Sequence, residues 1–237
     1  MNGKIYLVPV TLGGEDYNYV IPSGVISITR DLRYFVVEEI RSARRYLRLI
    51  DKSFPIEESN FEVLNEHTGD KDISNYLDPC FEGFDLGLMS EAGLPGIADP
   101  GARLIKTAHK KGIRVIPLAG PSSIIMALTS SGLNGQNFTF NGYLPVKQPE
   151  RESKLKELER RSCDGFAQIF IETPYRSQKM LESILEICNK DLMLCIAADI
   201  SLPSESILTL SISDWKLKIP DLKDRLVVFL FCKETTF

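Results

Sequence analysis

The sequence is poor in imidazole, with only His67 and His109 in 237 residues. These fall in separate predicted elements, which leaves little room for a His-rich metal centre or a Ser-His-Asp triad. Cysteine is present but unorganised. Cys80, Cys163, Cys188, Cys195 and Cys232 are odd in number, irregular in spacing and without a C-x-x-C pair, which argues against both a disulfide framework and a thiolate zinc site. No metal is expected. Long apolar runs are also lacking: the longest, Leu226 to Cys232, is far short of the ~18 residues of a membrane span. Met1–Val10 does not have the layout of a signal peptide, so the expected location is cytoplasmic, with no membrane partner. There is no excess of positive charge, since 28 Lys and Arg stand against 32 Asp and Glu for a net charge of −4. A nucleic acid would have to be held by a local basic face, not by the charge of the whole chain. The motifs G-x-G-x-x-G, G-x-x-x-x-G-K-[ST] and G-x-S-x-G are all absent, which removes the familiar dinucleotide, nucleoside-triphosphate and hydrolase signatures.

What is there is a globular chain, 43% hydrophobic and 25% charged, with the grammar of α/β proteins. Ile5–Val10 and Tyr34–Val37 read as strands, and Ser23–Asp31 as a helix capped by Ser23. Across Ile40–Ile50, the apolar Ile40, Ala43, Leu47 and Ile50 recur at helical spacing, which gathers Arg41, Arg44, Arg45 and Arg48 on the other side. This is the one basic stripe of the chain; it reads either as a phosphate-binding face or as a solvated helix face. Glu62–Leu64 and Asp85–Met89 are further strands, with a short helix at Asp72–Leu77 between them. Asp99-Pro100-Gly101 reads as a helix start with Asp99 as N-cap, and Arg114–Leu118 follows as a buried strand. Strand and helix in alternation predict a mainly parallel sheet.

The second half carries strands at Phe138–Tyr143, Phe166–Glu172, Leu192–Ala198, Ser206–Ser211 and Leu226–Cys232. Helices are predicted at Pro149–Arg161 and Tyr175–Cys188, with a short one near Asp214–Leu222. The last three strands follow one another closely, which favours a mixed sheet with antiparallel pairs. The expected architecture is therefore two α/β domains in series, residues 1–118 and 119–237, with a ligand cleft between them. One segment stands out chemically: Ser90 to Gly101 holds three glycines and two prolines in twelve positions. Such a loop at the carboxyl end of a parallel strand lies where open α/β sheets bind ligands.

The segments LMSEAGLPGIADPGARL and GIRVIPLAGPSSIIMALTSSGL, with the less specific FNGYLP and IFIETPYR, resemble the tetrapyrrole methylase superfamily, and within it the ribosomal RNA small-subunit methyltransferase I family. IYLVPVTLGG resembles the opening strand and loop of that family, and Glu38-Glu39-Ile40-Arg41 its acidic-Thr-Arg motif. The resemblance implies the tetrapyrrole methylase fold, S-adenosylmethionine as cofactor, a homodimer, and RNA as a possible partner with a ribose 2′-hydroxyl as methyl acceptor. It places Pro9, Gly93, Leu94, Pro95, Ile97, Ala98, Pro121 and Ser122 at the cofactor, together with Ile171 and Glu172 from the second domain. Glu91, Glu39 and Arg41 are the catalytic candidates, and Arg44, Arg45 and Arg48 the substrate-binding ones. Departures from the family pattern occur at Ile40, Glu91, Leu94 and Ala198. They keep two alternatives open: a methyltransferase of the same fold acting on a small molecule or tetrapyrrole, and a cofactor-binding module without catalysis.

Overall fold

A computed structural model describes residues 2–233. Sequence patterning divides the domains between residues 118 and 119; the contacts divide the chain between Ser122 and Ser123 into two compact units.

The first unit is built on a five-stranded sheet of β1 (Ile5–Leu7), β2 (Tyr34–Val37), β3 (Asn60–Val63), β4 (Leu86–Met89) and β5 (Val115–Pro117), in the order β3-β2-β4-β1-β5. Every neighbouring pair is parallel, so both faces must be covered by the connecting helices. Period-two alternation shows how. Phe35 and Val37 enter one core with Tyr46, Leu47, Ile50 and Phe54, while Val36 between them enters the opposite core with Leu64, Leu77, Leu104 and Ala108. Gly87 in the central strand makes room for this packing, since a Cβ there would sit 2.9 Å from the Phe35 ring.

The helices of this unit are α1 (Tyr17–Val20), α2 (Ser23–Asp31), α3 (Ile40–Ile50), α4 (Asp70–Asn75), α5 (Asp78–Phe81) and α6 (Gly101–Lys110). Both α2 and α3 have the bounds expected from periodicity, but α2 is not capped by Ser23: Pro22 holds the cap position, with no side-chain cap bond. The opening strand ends at Leu7, and Val10 instead forms an isolated bridge with Gly93. Neither α1 nor α5 is legible in the sequence, because four-residue helices carry no readable period.

The second unit holds α7 (Ser123–Ser131), β6 (Phe138–Tyr143), α8 (Gln148–Ser162), β7 (Ala167–Glu172), α9 (Pro174–Ile187), β8 (Met193–Ala198), β9 (Ser206–Ser211), α10 (Ile212–Leu217) and β10 (Val227–Cys232). Its sheet has the order β6-β7-β10-β8-β9; β6 and β7 are parallel and the other pairs antiparallel. The last strand to be made, β10, is central and wholly buried, which explains its unbroken apolar run. Phe170 stacks on Phe229 with centroids 5.5 Å apart, and the Trp215 indole donates to the Leu194 carbonyl at 2.8 Å. All five cysteines are free thiols. Among the described residues no helix is long and apolar enough to cross a membrane, and no group of three or more side chains could hold a metal ion.

Candidate cofactor and catalytic site in the first unit

Because β4, β1 and β5 are neighbours and parallel, the loops that leave their carboxyl ends gather at one rim of the sheet. Backbone hydrogen bonds tie them together: the Val8 amide donates to the Leu88 carbonyl at 2.9 Å, Leu118 to Leu7 at 3.2 Å, and Val10 to Gly93 at 2.9 Å. Two glycines let the loops approach. Gly93 has φ of +71°, and a Cβ there would lie 3.1 Å from both the Pro121 carbonyl and the Leu12 side chain; at Gly120 it would lie 2.2 Å from the Pro9 ring and 3.6 Å from Leu94. Pro9, Gly93, Leu94 and Pro121 are thus brought to one place by the packing of three loops.

The rest of the 90–101 loop is shaped by Asp99. Its two carboxylate oxygens accept from the Gly96 and Gly101 amides, each at 2.7 Å. Asp99 is not the N-cap that the sequence suggests: α6 starts at Gly101 with Pro100 in the cap position and no side-chain cap bond, and Asp99, one residue earlier, holds the turn through these two amides. This turn holds Ala98 at φ of +62°, a region where a non-glycine residue is uncommon. Ile97 next to it is 44% exposed, a large apolar side chain left facing solvent, while Pro95 is buried. Ser122 lies just ahead of α7, which begins at Ser123.

Carboxylates crowd the neighbouring stretch of the same rim. Glu38, immediately after β2, accepts from the Glu91 amide at 3.0 Å, and the Ser42 hydroxyl lies 2.9 Å from the Glu91 carboxylate and 3.2 Å from that of Glu39. Burial raises the pKa of Glu38, and the nearby charges of Asp99 and Glu91 add to the rise against the bond from the Glu91 amide. Burial also raises that of Asp99, against the bonds from its loop amides. Glu39 differs: it is exposed, caps α3 through the Ser42 amide at 2.8 Å, and is held below the usual range by the Arg41 and Ser42 amides. A carboxylate so occupied is a poor proton acceptor. In the sequence Glu38 stands only as the first residue of the Glu38-Glu39-Ile40-Arg41 motif and not among the catalytic candidates; its place directly after a parallel strand is the readable signal for its position at this rim. An open groove runs past Glu38, Asn65, Glu66, Asp99, Pro100 and Arg103.

The arginine face is real. Arg41, Arg44, Arg45 and Arg48 are all exposed, opposite the buried Ala43, Tyr46, Leu47 and Ile50. In the second unit, Ile171 and Glu172 end β7, and Glu172 is enclosed by bonds from Thr173 and Arg176, which occupy it structurally.

No protein-family model matches the chain. The ribosomal RNA small subunit methyltransferase I of Vibrio cholerae serotype O1 is 29% identical over 205 residues, 86% of this chain and 67% of that protein. The protein of the same name from Buchnera aphidicola subsp. Acyrthosiphon pisum is 30% identical over 206 residues, 86% of this chain and 69% of its own length. The chain belongs to the ribosomal RNA small subunit methyltransferase I family. Among solved structures, that of the methyltransferase CobJ matches with a TM-score of 0.66 at 18% identity, covering 99% of this chain and 96% of that one. The expected tetrapyrrole methylase fold is the fold the chain has. At its departures from the family motifs, Ile40 packs against the first core, Leu94 lies beside Gly120, Glu91 engages Ser42, and Ala198 is fully buried in the second core.

Proposed function

We propose that this methyltransferase takes its methyl group from S-adenosylmethionine and transfers it to RNA, at a ribose 2′-hydroxyl of ribosomal RNA. The observation that carries the reading is the joining of three loops around Gly93, in a chain 30% identical to a ribosomal RNA methyltransferase over 86% of its length. The groups at that rim fit the cofactor. Leu94, Pro95, Ile97 and Pro121 offer apolar contact for an adenine ring. Gly93 leaves backbone uncovered where any side chain would fill the space between loops, and Pro9 and Ser122 complete the ring of residues that would hold it. When bound, the cofactor supplies a methyl group already activated on a sulfonium.

The chain then has two tasks: to align the acceptor and to take its proton. Asp99 is committed through both oxygens to Gly96 and Gly101, and Glu39 to the cap of α3. Glu38 accepts a bond from Glu91 through one oxygen only and has its proton affinity raised by burial and by Asp99 and Glu91, so it is the carboxylate suited to receive the hydroxyl proton. Glu91 reaches it from the loop, and Arg41 follows in the first turn of α3. The reading carries a homodimer in the cytoplasm with it, and sedimentation of the purified chain tests the dimer.

Calorimetric titration with S-adenosylmethionine and S-adenosylhomocysteine, followed by transfer of a labelled methyl group to small-subunit RNA, tests the function. Binding of the cofactor with label in ribose is expected. Label entering only a small molecule or tetrapyrrole would replace the RNA acceptor, and cofactor binding without any transfer would leave a binding module.

A further inference from the structure

The helix α3 carries four arginines and no acidic residue in its eleven positions, within a chain whose net charge is −4. Arg41, Arg44, Arg45 and Arg48 follow the i, i+3, i+4, i+7 spacing of one helix face. None of them forms an ion pair among the described residues, whereas Arg30, Arg103, Arg161, Arg176 and Arg225 all do. The face is also held in shape. Arg44 lies over the Phe61 ring at 5.3 Å, and Phe61 stacks on Phe35 in turn. Arg48 donates to the Lys52 carbonyl at 2.8 Å, and Arg45 is exposed and makes no hydrogen bond, ion pair or ring contact among the described residues.

We infer that this face is the docking track for the RNA strand, with Arg44, Arg45 and Arg48 on its phosphates. The inference rests on the proposed RNA acceptor and says where that substrate is held. Two observations beyond charge support it. First, α3 starts at the catalytic rim, since Ser42 in its first turn reaches Glu91, so a strand lying along the arginines ends at the groove beside Glu38. Second, the face is long enough for more than one phosphate: from Arg41 to Arg48 the helix rises about 10 Å. Guanidinium groups that form no ion pair among the described residues are suited to phosphate oxygens. A second copy of the chain is a poorer occupant, because a two-fold contact across this face would set arginine against arginine.

The test is fluorescence anisotropy of a labelled single-stranded RNA oligonucleotide, titrated at several salt concentrations with the full chain, with Arg45→Glu and with Arg44→Gln/Arg45→Gln/Arg48→Gln. The triple variant is expected to make the slope of log affinity against log salt shallower by about 0.7 for each phosphate that is no longer neutralised. Arg45→Glu, at a side chain with no hydrogen bond, ion pair or ring contact among the described residues, should weaken binding in the same direction, and its circular dichroism should be unchanged. Cofactor affinity measured by calorimetry should be the same in all three proteins. An unaltered slope in both variants overturns the track while leaving the RNA reading intact. Absence of RNA binding by the unaltered chain at low salt overturns both. A change of oligomeric state in Arg45→Glu with RNA binding unchanged makes the face a contact between copies and also overturns the track.

Discussion

Each unit ends its sheet in a rim that carries inward-lying carboxylates, and the two rims treat them in opposite ways. In the second unit Asp199 follows β8 and is bound by the Arg225 guanidinium at 2.7 Å, the Ser204 hydroxyl at 2.9 Å and the Leu226 amide at 3.0 Å. Glu172, at the end of β7, is paired with Arg176. In the first unit Glu38 and Asp99 have no cation within ion-pair distance among the described residues; the arginine beside their groove, Arg103, is engaged by Asp70 at 2.7 Å. A buried charge is costly unless it is paired, so a rim that leaves its carboxylates unpaired gives up stability. Such rims are found where chemistry requires them. The second rim pairs its carboxylates with cations, and the first, where we propose the ligand binds, leaves them unpaired among the described residues.

The comparison is broken most severely by removing a partner from the paired rim. Arg225→Ala leaves Asp199, 7% exposed, charged and unpaired, and should cost about 3–5 kcal/mol in urea unfolding. Asp199→Ala should be similarly severe, since Asp199 also holds φ of +53°, which Asp tolerates better than Ala. Burial alone would raise the pKa of Asp199, but the bonds from Arg225, Ser204 and Leu226 outweigh it and hold it below the ordinary value. The stability it contributes is therefore present above the unfolded pKa, near 4, and is lost as the pH falls through the folded one. A cost that stays constant from pH 7 down to pH 3 would show that the pair is not what closes this rim.

On the other rim, the contacts between loops set the next effects. Gly120→Ala places a methyl group 2.2 Å from the Pro9 ring, where neither backbone can give way cheaply. A loss of about 1–3 kcal/mol is expected from overpacking. Gly93→Val meets the Pro121 carbonyl at 3.1 Å with φ at +71°, so the loops separate. Affinity for S-adenosylmethionine should fall at least about tenfold, ~1.4 kcal/mol, by calorimetry. Unchanged affinity would move the cofactor site away from this loop.

These two rims are unequally legible in the sequence. The bounds of α3 and of β9 are those that their periodicity predicts, and the loop from Ser90 to Gly101 announces itself by its glycines and prolines. Local chemistry of that kind is written in neighbouring residues. The roles of Glu38 and Glu39 are not, because they depend on which one turns inward after β2 and on an amide 53 positions away at Glu91. Adjacent identical side chains, one a helix cap and the other half-buried, cannot be told apart before the strand end is placed. The same holds for Asp199 and Arg225, which pair across 26 positions. No cation stands beside Asp199 in the sequence, yet an arginine arrives from just ahead of β10.

The smallest expected effect separates the rims most clearly, because its sign is reversed. Burial and the like charges of Asp99 and Glu91 raise the pKa of Glu38, so the folded state favours its protonated form. Its contribution is fully present below the unfolded pKa, near 4.3, and is lost as the pH rises through the folded value. Glu38→Gln keeps an acceptor for the Glu91 amide and removes the charge, so at pH 7 it should stabilise the chain, by only about 0.5 kcal/mol because solvent still screens a half-buried group. At pH 4 the gain should vanish. Asp199→Asn should show the opposite pattern, destabilising at pH 7 and progressively less so in acid. The same Glu38→Gln protein should bind S-adenosylmethionine as the unaltered chain does but transfer its methyl group slowly, by about 10²-fold or more if the base is removed. If both variants destabilise at neutral pH with the same trend, the two rims are electrostatically alike and Glu38 is a structural residue. If the signs differ and transfer falls, the stability given up at the first rim is what leaves a carboxylate free to take the proton.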